Sequence, residues 1–356
     1  MVIIPTKAMG SAILLKLLQK NQSLPPRPHD GSSVKQCPQP QPFGTPTLDI
    51  CLCDLASARH TDFGAVNFGH ATNVDHVTPF HVMASIMKAA TVSEDEWRNG
   101  QPLLGALTVP GTKHGLQAYD LTPSPFDKDQ DYILSSSSGA QASPRWSSSV
   151  VPLGAITHPH ADYYGCSQFI SHFEGRKLWL LWPCTEQNLN IVTKAYLEPN
   201  FLLTADIAID ILEGLELYFL DSPRNFYIPA YHIYATLTFT TSCDSRCKLW
   251  ALAEFNTAKL AMDMHLALAK KSVAQLNGQT LKVVDNFCRE AEQEDLKHWD
   301  ELASRCEDNT LLSDIQSWVQ GTRTTLRQIQ DRRLSRQPLG SSSWEVTVKR
   351  EGRRLT

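Results

Sequence analysis

No stretch of the 356 residues reaches the roughly 18 uninterrupted apolar positions that a membrane-spanning helix needs. Charge of one sign is equally scarce. Thirty-three Lys and Arg against 37 Asp and Glu leave a net charge of −4, which excludes a whole-chain field drawing the protein to nucleic acid or an anionic membrane. A disulfide framework is also missing. The nine cysteines, an odd number, stand at 37, 51, 53, 166, 184, 243, 247, 288 and 306 without paired, regular spacing, so a reducing compartment is expected and secretion is not. At the start, Lys7 and Lys16 bracket a short apolar run with no cleavage signal after it, which predicts an amphipathic helix over Lys7 to Lys20.

What is there falls into four parts. Residues 1–45 end in a Pro-, Gly- and Ser-rich stretch (23–44) that reads as linker or disordered. Residues 46–250 carry short β-rich runs bounded by polar turns: 177–183, 215–221, 225–231 and 234–242. Those runs suggest a barrel or sandwich, and the Ser-rich 133–152 reads as a long surface loop leading into them. Residues 251–334 are rich in helix formers. There Val284, Phe287, Cys288, Ala291, Leu296, Trp299, Leu302 and Cys306 recur at three- and four-residue steps, which predicts a helical bundle with one buried face. Residues 335–356, with Lys349, Arg350, Arg353 and Arg354, form a basic tail that reads as a solvated terminus.

The chemistry concentrates in 156–184, ITHPHADYYGCSQFISHFEGRKLWLLWPC, where ionisable groups crowd the most apolar run. In an extended segment His160 and Asp162, two residues apart, point the same way and can reach one metal ion. A 2-His-1-carboxylate triad for Fe(II) takes its third ligand from a later strand and leaves the opposite face open. Lys177 begins an apolar strand and so needs an anion, which a dicarboxylate would supply. Its plainer reading is a snorkelling strand-end cation. His158 and His172 read as surface or hydrogen-bonded imidazoles.

Thr157, His160 and Asp162 form a T-x-x-H-x-D stretch; Gly175 and Lys177 follow as G-x-K, then Pro183, Thr185, Asn188 and Leu189. Over about residues 150–250 the chain resembles the JmjC family of Fe(II)- and 2-oxoglutarate-dependent oxygenases, closest to the PHD-finger-type histone lysine demethylases. The resemblance implies a mainly β fold with α elements, a double-stranded β-helix (jelly-roll, cupin-like) of two facing antiparallel sheets at 46–250. It implies His160 and Asp162 as iron ligands, with Thr157 and Lys177 holding the distal carboxylate of 2-oxoglutarate. It also implies a protein substrate of the histone-tail type, carrying N-methyl lysine, and a nuclear location.

One position departs from the family. The stretch YIPAYHIYATLTF (227–239) puts Tyr234 where the last metal histidine is expected and His232 two residues before it. A two-residue slip or a bulge would offer His232 instead, so both stay open. Two function classes follow: an active dioxygenase, or a JmjC-like scaffold with an impaired metal site. A third reading, a zinc site of Cys51, Cys53, Cys243 and Cys247, has poor spacing, and incidental thiols are the better account.

Overall fold

Two long strands carry the fold. In the structure, a computed structural model, β8 (Ser167–Trp182) and β11 (Ile233–Ala251) pair antiparallel along their whole length, from Ile233 opposite Trp182 to Leu249 opposite Ser167. The structure describes residues 13–17, 35–37, 46–68, 72–74, 76–89, 91, 102–119, 132–136, 147–161, 166–197, 203–221, 223–230, 232–275, 284 and 287–336.

Each half of this ladder has its own neighbours. The 177–181 half of β8 carries β9 (Glu216–Leu220), and its 168–172 half carries β10 (Arg224–Ile228). Likewise the 233–237 half of β11 carries β7 (Ile156–Ala161), and its later half carries β6 (Ser147–Val151) and β5 (Tyr132–Ser136). Between the halves the register shifts repeatedly, from Thr238 to Asp244. Gly175 sits in that break at φ +97, where a Cβ would meet the Thr241 carbonyl oxygen at 2.4 Å. Only glycine takes this backbone without strain.

With β1 (Lys35–Cys37) beside β10, and β4 (Leu104–Pro110), β2 (Gly64–Asn67) and β3 (Thr72–Asn73) extending from β6, the described strands form one eleven-stranded antiparallel sheet. The protein is thus mixed α and β, with a large antiparallel sheet followed by C-terminal helices. Trp179 of one half packs edge-on against Phe226 of the other at 5.2 Å. Ile170, Leu181, Tyr218, Leu220, Ile228 and Tyr234 complete that inner cluster.

Alternation along β8 explains why KLWLLW reads as a continuous apolar run. Trp179 and Leu181 face the inner cluster, while Leu178, Leu180 and Trp182 face outward under helices. Both faces are covered, so neither needs polar residues. The outer cover here is the helical segment 13–17, α4 (Glu186–Leu197) and α5 (Ala205–Ile211), through Ile13, Leu17, Val192 and Ile209. The segment 13–17 is the described part of the N-terminal helix expected from sequence, and we denote it α1. Over the other half, α2 (Leu48–Ser57) and α3 (Pro79–Ala89) pack Leu55, Val82 and Ile86 against Phe169, Phe173 and Leu249. The buried Asp54 of α2 accepts hydrogen bonds from the Thr112 and Leu116 amides (3.0 and 2.8 Å) and the Thr112 hydroxyl (2.6 Å), anchoring the loop after β4.

After β11 come α6 (Phe255–Gln275), a π-helical turn at Ala291–Asp295, α7 (Leu296–Arg305) and α8 (Asn309–Arg336). Val284, Phe287, Cys288, Ala291, Leu296, Trp299 and Leu302 are buried as their periodicity predicts. Cys306, expected on the same face, is only half-buried.

Two stretches expected to be irregular contain strands. Lys35–Cys37, inside the linker, pairs with β10, and the Ser-rich loop contributes β5 and β6. Ser147, Ser148 and Ser149 are buried in β6, so their small side chains fit a crowded sheet instead of marking a solvated turn. Among the described residues no helix is long and apolar enough to cross a membrane.

Candidate functional site

The inner face near the bend gathers most residues that the sequence singles out. Pairing puts Tyr234 opposite both His160 and Leu181, Thr236 opposite Thr157 and Trp179, and Thr238 opposite Lys177. β7 carries one extra residue between Thr157 and His160, and the Thr157 hydroxyl holds that bulge. It accepts the Thr236 amide at 2.8 Å and lies 2.9 Å from the Thr236 hydroxyl. The bulge aims the His160 ring at Tyr234, with centroids 4.3 Å apart. His160 Nδ1 lies 2.7 Å from the His158 carbonyl oxygen, and donation there keeps the ring lone pair on Nε2.

Lys177 is fully buried, and its anion is a residue of the chain itself. Its ammonium donates to Asp244 Oδ2 at 2.6 Å, and neither side chain is more than 1% exposed. The other oxygen of Asp244 accepts from Arg246 Nε at 3.1 Å. Arg246 Nη1 in turn donates to the Tyr234 phenol oxygen at 2.8 Å. Both cations lie over the Trp179 ring, at 5.6 Å for Lys177 and 5.3 Å for Arg246, and Arg246 also lies 5.7 Å from the Tyr234 centroid. A chain of charge and hydrogen bonds thus runs from Lys177 through Asp244 and Arg246 to Tyr234.

Burial works against the charge of both Lys177 and Asp244. For Asp244, Lys177 and Arg246 outweigh it and hold the carboxyl well below the usual carboxylate range. The pull on Lys177 is toward neutrality, since burial and Arg246 both lower its pKa against the effect of Asp244. With two cations on one carboxylate, the ionised pair is the state that satisfies the 2.6 Å contact. Beside it, burial and then Lys177 bring His172 down to about 4, and its Nε2 lies 3.1 Å from the Gly175 carbonyl. Two cations over one indole thus converge on the Asp244 carboxylate.

His232, the alternative third ligand, is 7% exposed, and neither ring nitrogen has a hydrogen-bond partner. Burial lowers its pKa against the opposing charge of Glu216. The Pro229 and Ala230 backbone also favours the charged ring, although neither contact has hydrogen-bond geometry. Asp162 lies outside the described residues. Among the described residues no three His, Cys, Asp or Glu side chains converge as a metal-holding group. Cys51, Cys243 and Cys247 are buried while Cys53 is exposed, so the four thiols do not share one environment.

Asp244 and Arg246 are the site residues that sequence reading missed. A signal was present: Asp244, Arg246 and Lys248 alternate with Cys243, Ser245, Cys247 and Leu249, so one strand face is charged and the other is not. No protein-family profile matches this chain, and no curated protein is similar to it.

Proposed function

We propose that the chain is a JmjC-like β-domain that works as a protein-binding module, not as a 2-oxoglutarate-dependent oxygenase. On this reading the bent sheet with its inner cluster corresponds to a double-stranded β-helix, and the partner is a protein segment of the histone-tail type in a nuclear setting.

The observation that carries it is the Lys177–Asp244 pair. The resemblance makes Lys177 the anchor for the distal carboxylate of 2-oxoglutarate. An incoming carboxylate would have to displace Asp244 from Lys177 and leave it charged and buried with Arg246 as its remaining ion-pair partner. Breaking a buried pair outright costs about 3–5 kcal/mol, or roughly a hundred- to several-thousandfold in affinity, and the contact to Arg246 offsets part of it. Arg246 adds to this, because its bond to Tyr234 engages the phenol oxygen that stands at the third metal position. The residues do not fit the cosubstrate.

A second reading, the active Fe(II) enzyme, is favoured by one observation: the His160 ring is held in the tautomer that suits an Nε2 ligand. The two part on cofactor dependence. Fluorescence anisotropy with histone-tail peptides should give affinities unchanged by Fe(II), 2-oxoglutarate or a chelator. Succinate production from 2-oxoglutarate by the iron-loaded protein, at a rate above that of a His160→Ala variant, would instead establish the enzyme.

A further inference from the structure

We propose that the seam between the sheet and the C-terminal helices is a proton-sensitive latch, in which Glu290, Glu294 and Asp295 crowd three carboxyl groups against the single ammonium of Lys248. This seam is separate from the Lys177 cluster and does not depend on how that cluster is read.

The geometry comes from a π-helical turn, a form that often marks functional sites because it displaces side chains from the regular helical surface. The turn at Ala291–Asp295 leads directly into α7, and Asp295 at its end is buried. Asp295 Oδ1 accepts the Trp250 indole N–H at 3.0 Å. Glu294 pairs with Lys248, while Glu290 Oε2 is buried without a hydrogen-bond partner. The His298 ring stacks on Trp250, with centroids 4.0 Å apart and planes 15° from parallel, and its Nδ1 lies 2.7 Å from the Glu294 carbonyl. On β11 the contacts to this turn run through one indole and one lysine, beside Ile133 of β5 in the apolar cluster that the helices share.

Other charged and titratable groups around the seam do not balance the three carboxyls. Cys166 lies near Lys248, and Arg289 near Glu290. β5, which also packs on α7, brings Tyr132 as its titratable group. α8 brings Arg323, which is already paired with Glu292 at 3.2 Å and Asp300 at 2.6 Å. Fully ionised, the three carboxyls and Lys248 would carry an excess of two negative charges around the buried Asp295, offset only in part by the exposed Arg289, which is costly unless a proton is retained.

Burial, with Glu294 and Glu290 adding to it, raises Asp295 well above the usual carboxylate range against the pull of Lys248 and Trp250. Burial raises Glu290 as well. Lys248 stays charged: burial opposes its charge, but Cys166, Glu294 and Asp295 outweigh that. A carboxyl raised on folding stabilises the fold below its ordinary pKa, and that support is lost as pH rises through the folded value. Docking of α7 should therefore tighten on acidification from alkaline pH.

Asp295→Asn tests this, because the amide is a fixed neutral isostere that can still accept the indole N–H. Thermal unfolding of the full chain should give a wild-type Tm that falls relative to the variant as pH rises from about 5 to about 9, by about 2 °C per pH unit across the transition. His298 is present in both proteins, so its titration cancels in the difference. Hydrogen exchange, corrected for the intrinsic rate, should show protection of residues 287–305 lost with rising pH in the wild type and retained in the variant. Glu290→Gln provides a second, milder variant expected to shift the same curve. Parallel pH curves for wild type and both variants, with protection over 287–305 independent of pH, would overturn the latch.

Discussion

Lys177 and Asp244, 67 residues apart in sequence, meet at 2.6 Å across the bend of the β8–β11 ladder, in a place where water does not reach either. They meet across the break in register at Gly175, with a cation at the start of one half paired to an anion in the other. This pair converts a strand-end lysine into an interior structural charge.

Asp244→Ala should then destabilise the protein by about 3–5 kcal/mol, because it leaves Lys177 charged and unpaired in the interior. Adding Lys177→Met to Asp244→Leu should recover much of that loss, since an apolar pair of similar volume is often as stable as a buried ion pair. Urea unfolding of Asp244→Leu, Lys177→Met and the double variant would give the coupling energy; additive losses would show that the pair is not coupled.

Acid should weaken the fold before the carboxylates titrate. His172 is brought down to about 4 by burial and by Lys177, so the unfolded chain takes up a proton that the folded chain refuses. Its support is present above the ordinary imidazole value of about 6.5 and is lost as pH falls through the folded value, for a total of about 3 kcal/mol. His172→Gln should flatten that part of the pH–stability curve. Asp244 acts lower down: its support is present above the ordinary carboxylate value of about 4 and fails only as pH falls well below it.

Three glycines should respond differently to alanine. At Gly175 a Cβ would meet backbone at 2.4 Å at a positive φ, and at Gly115 it would fall 1.8 Å from an Asp54 carboxylate oxygen. Either substitution should cost more than about 2 kcal/mol or prevent folding. Gly321 lies within α8, and a Cβ added there would meet nothing within 4 Å, so Gly321→Ala should stabilise by about 0.5–1 kcal/mol. Thermal melts rank the three.

How much of this was legible in the sequence follows from which signals are local. The apolar run of β8, the strands β9 and β10 and the stripe from Phe287 to Leu302 announce themselves by composition and period. β6 was hidden because Ser147, Ser148 and Ser149, which mark a turn in a local reading, are buried in a crowded sheet, and β5 lies in the same Ser-rich stretch. The second half of β11 was hidden too, since Cys243 to Lys248 alternates polar and small residues whose face is set only by pairing with β8. Thr157, His160, Lys177 and Tyr234, expected from spacing and resemblance, lie on paired positions of β7, β8 and β11, while Asp162, expected with them, lies outside the described residues. Their partners Asp244 and Arg246 were not expected, because an ion pair across a bend depends on where the chain folds back.

Tyr234→His separates the two halves of the site. The imidazole would stand beside His160 and should raise Fe(II) affinity, at a stability cost of about 1–3 kcal/mol for the lost Arg246 bond. It should not create 2-oxoglutarate turnover, because Lys177 is still held by Asp244. Anaerobic Fe(II) titration, with succinate assayed on the same samples, checks both statements.

The most direct test of the central claim is calorimetric titration of 2-oxoglutarate into the anaerobic, Fe(II)-supplied full chain, wild type beside Asp244→Asn. With Asp244 holding Lys177, the wild type should give no saturable heat at cosubstrate concentrations up to about 1 mM, the weak end of ordinary affinities, and the Asn variant should bind measurably more tightly. Micromolar binding by the wild type, lost in Lys177→Ala and unchanged in Asp244→Asn, would contradict the account and return the site to an oxygenase.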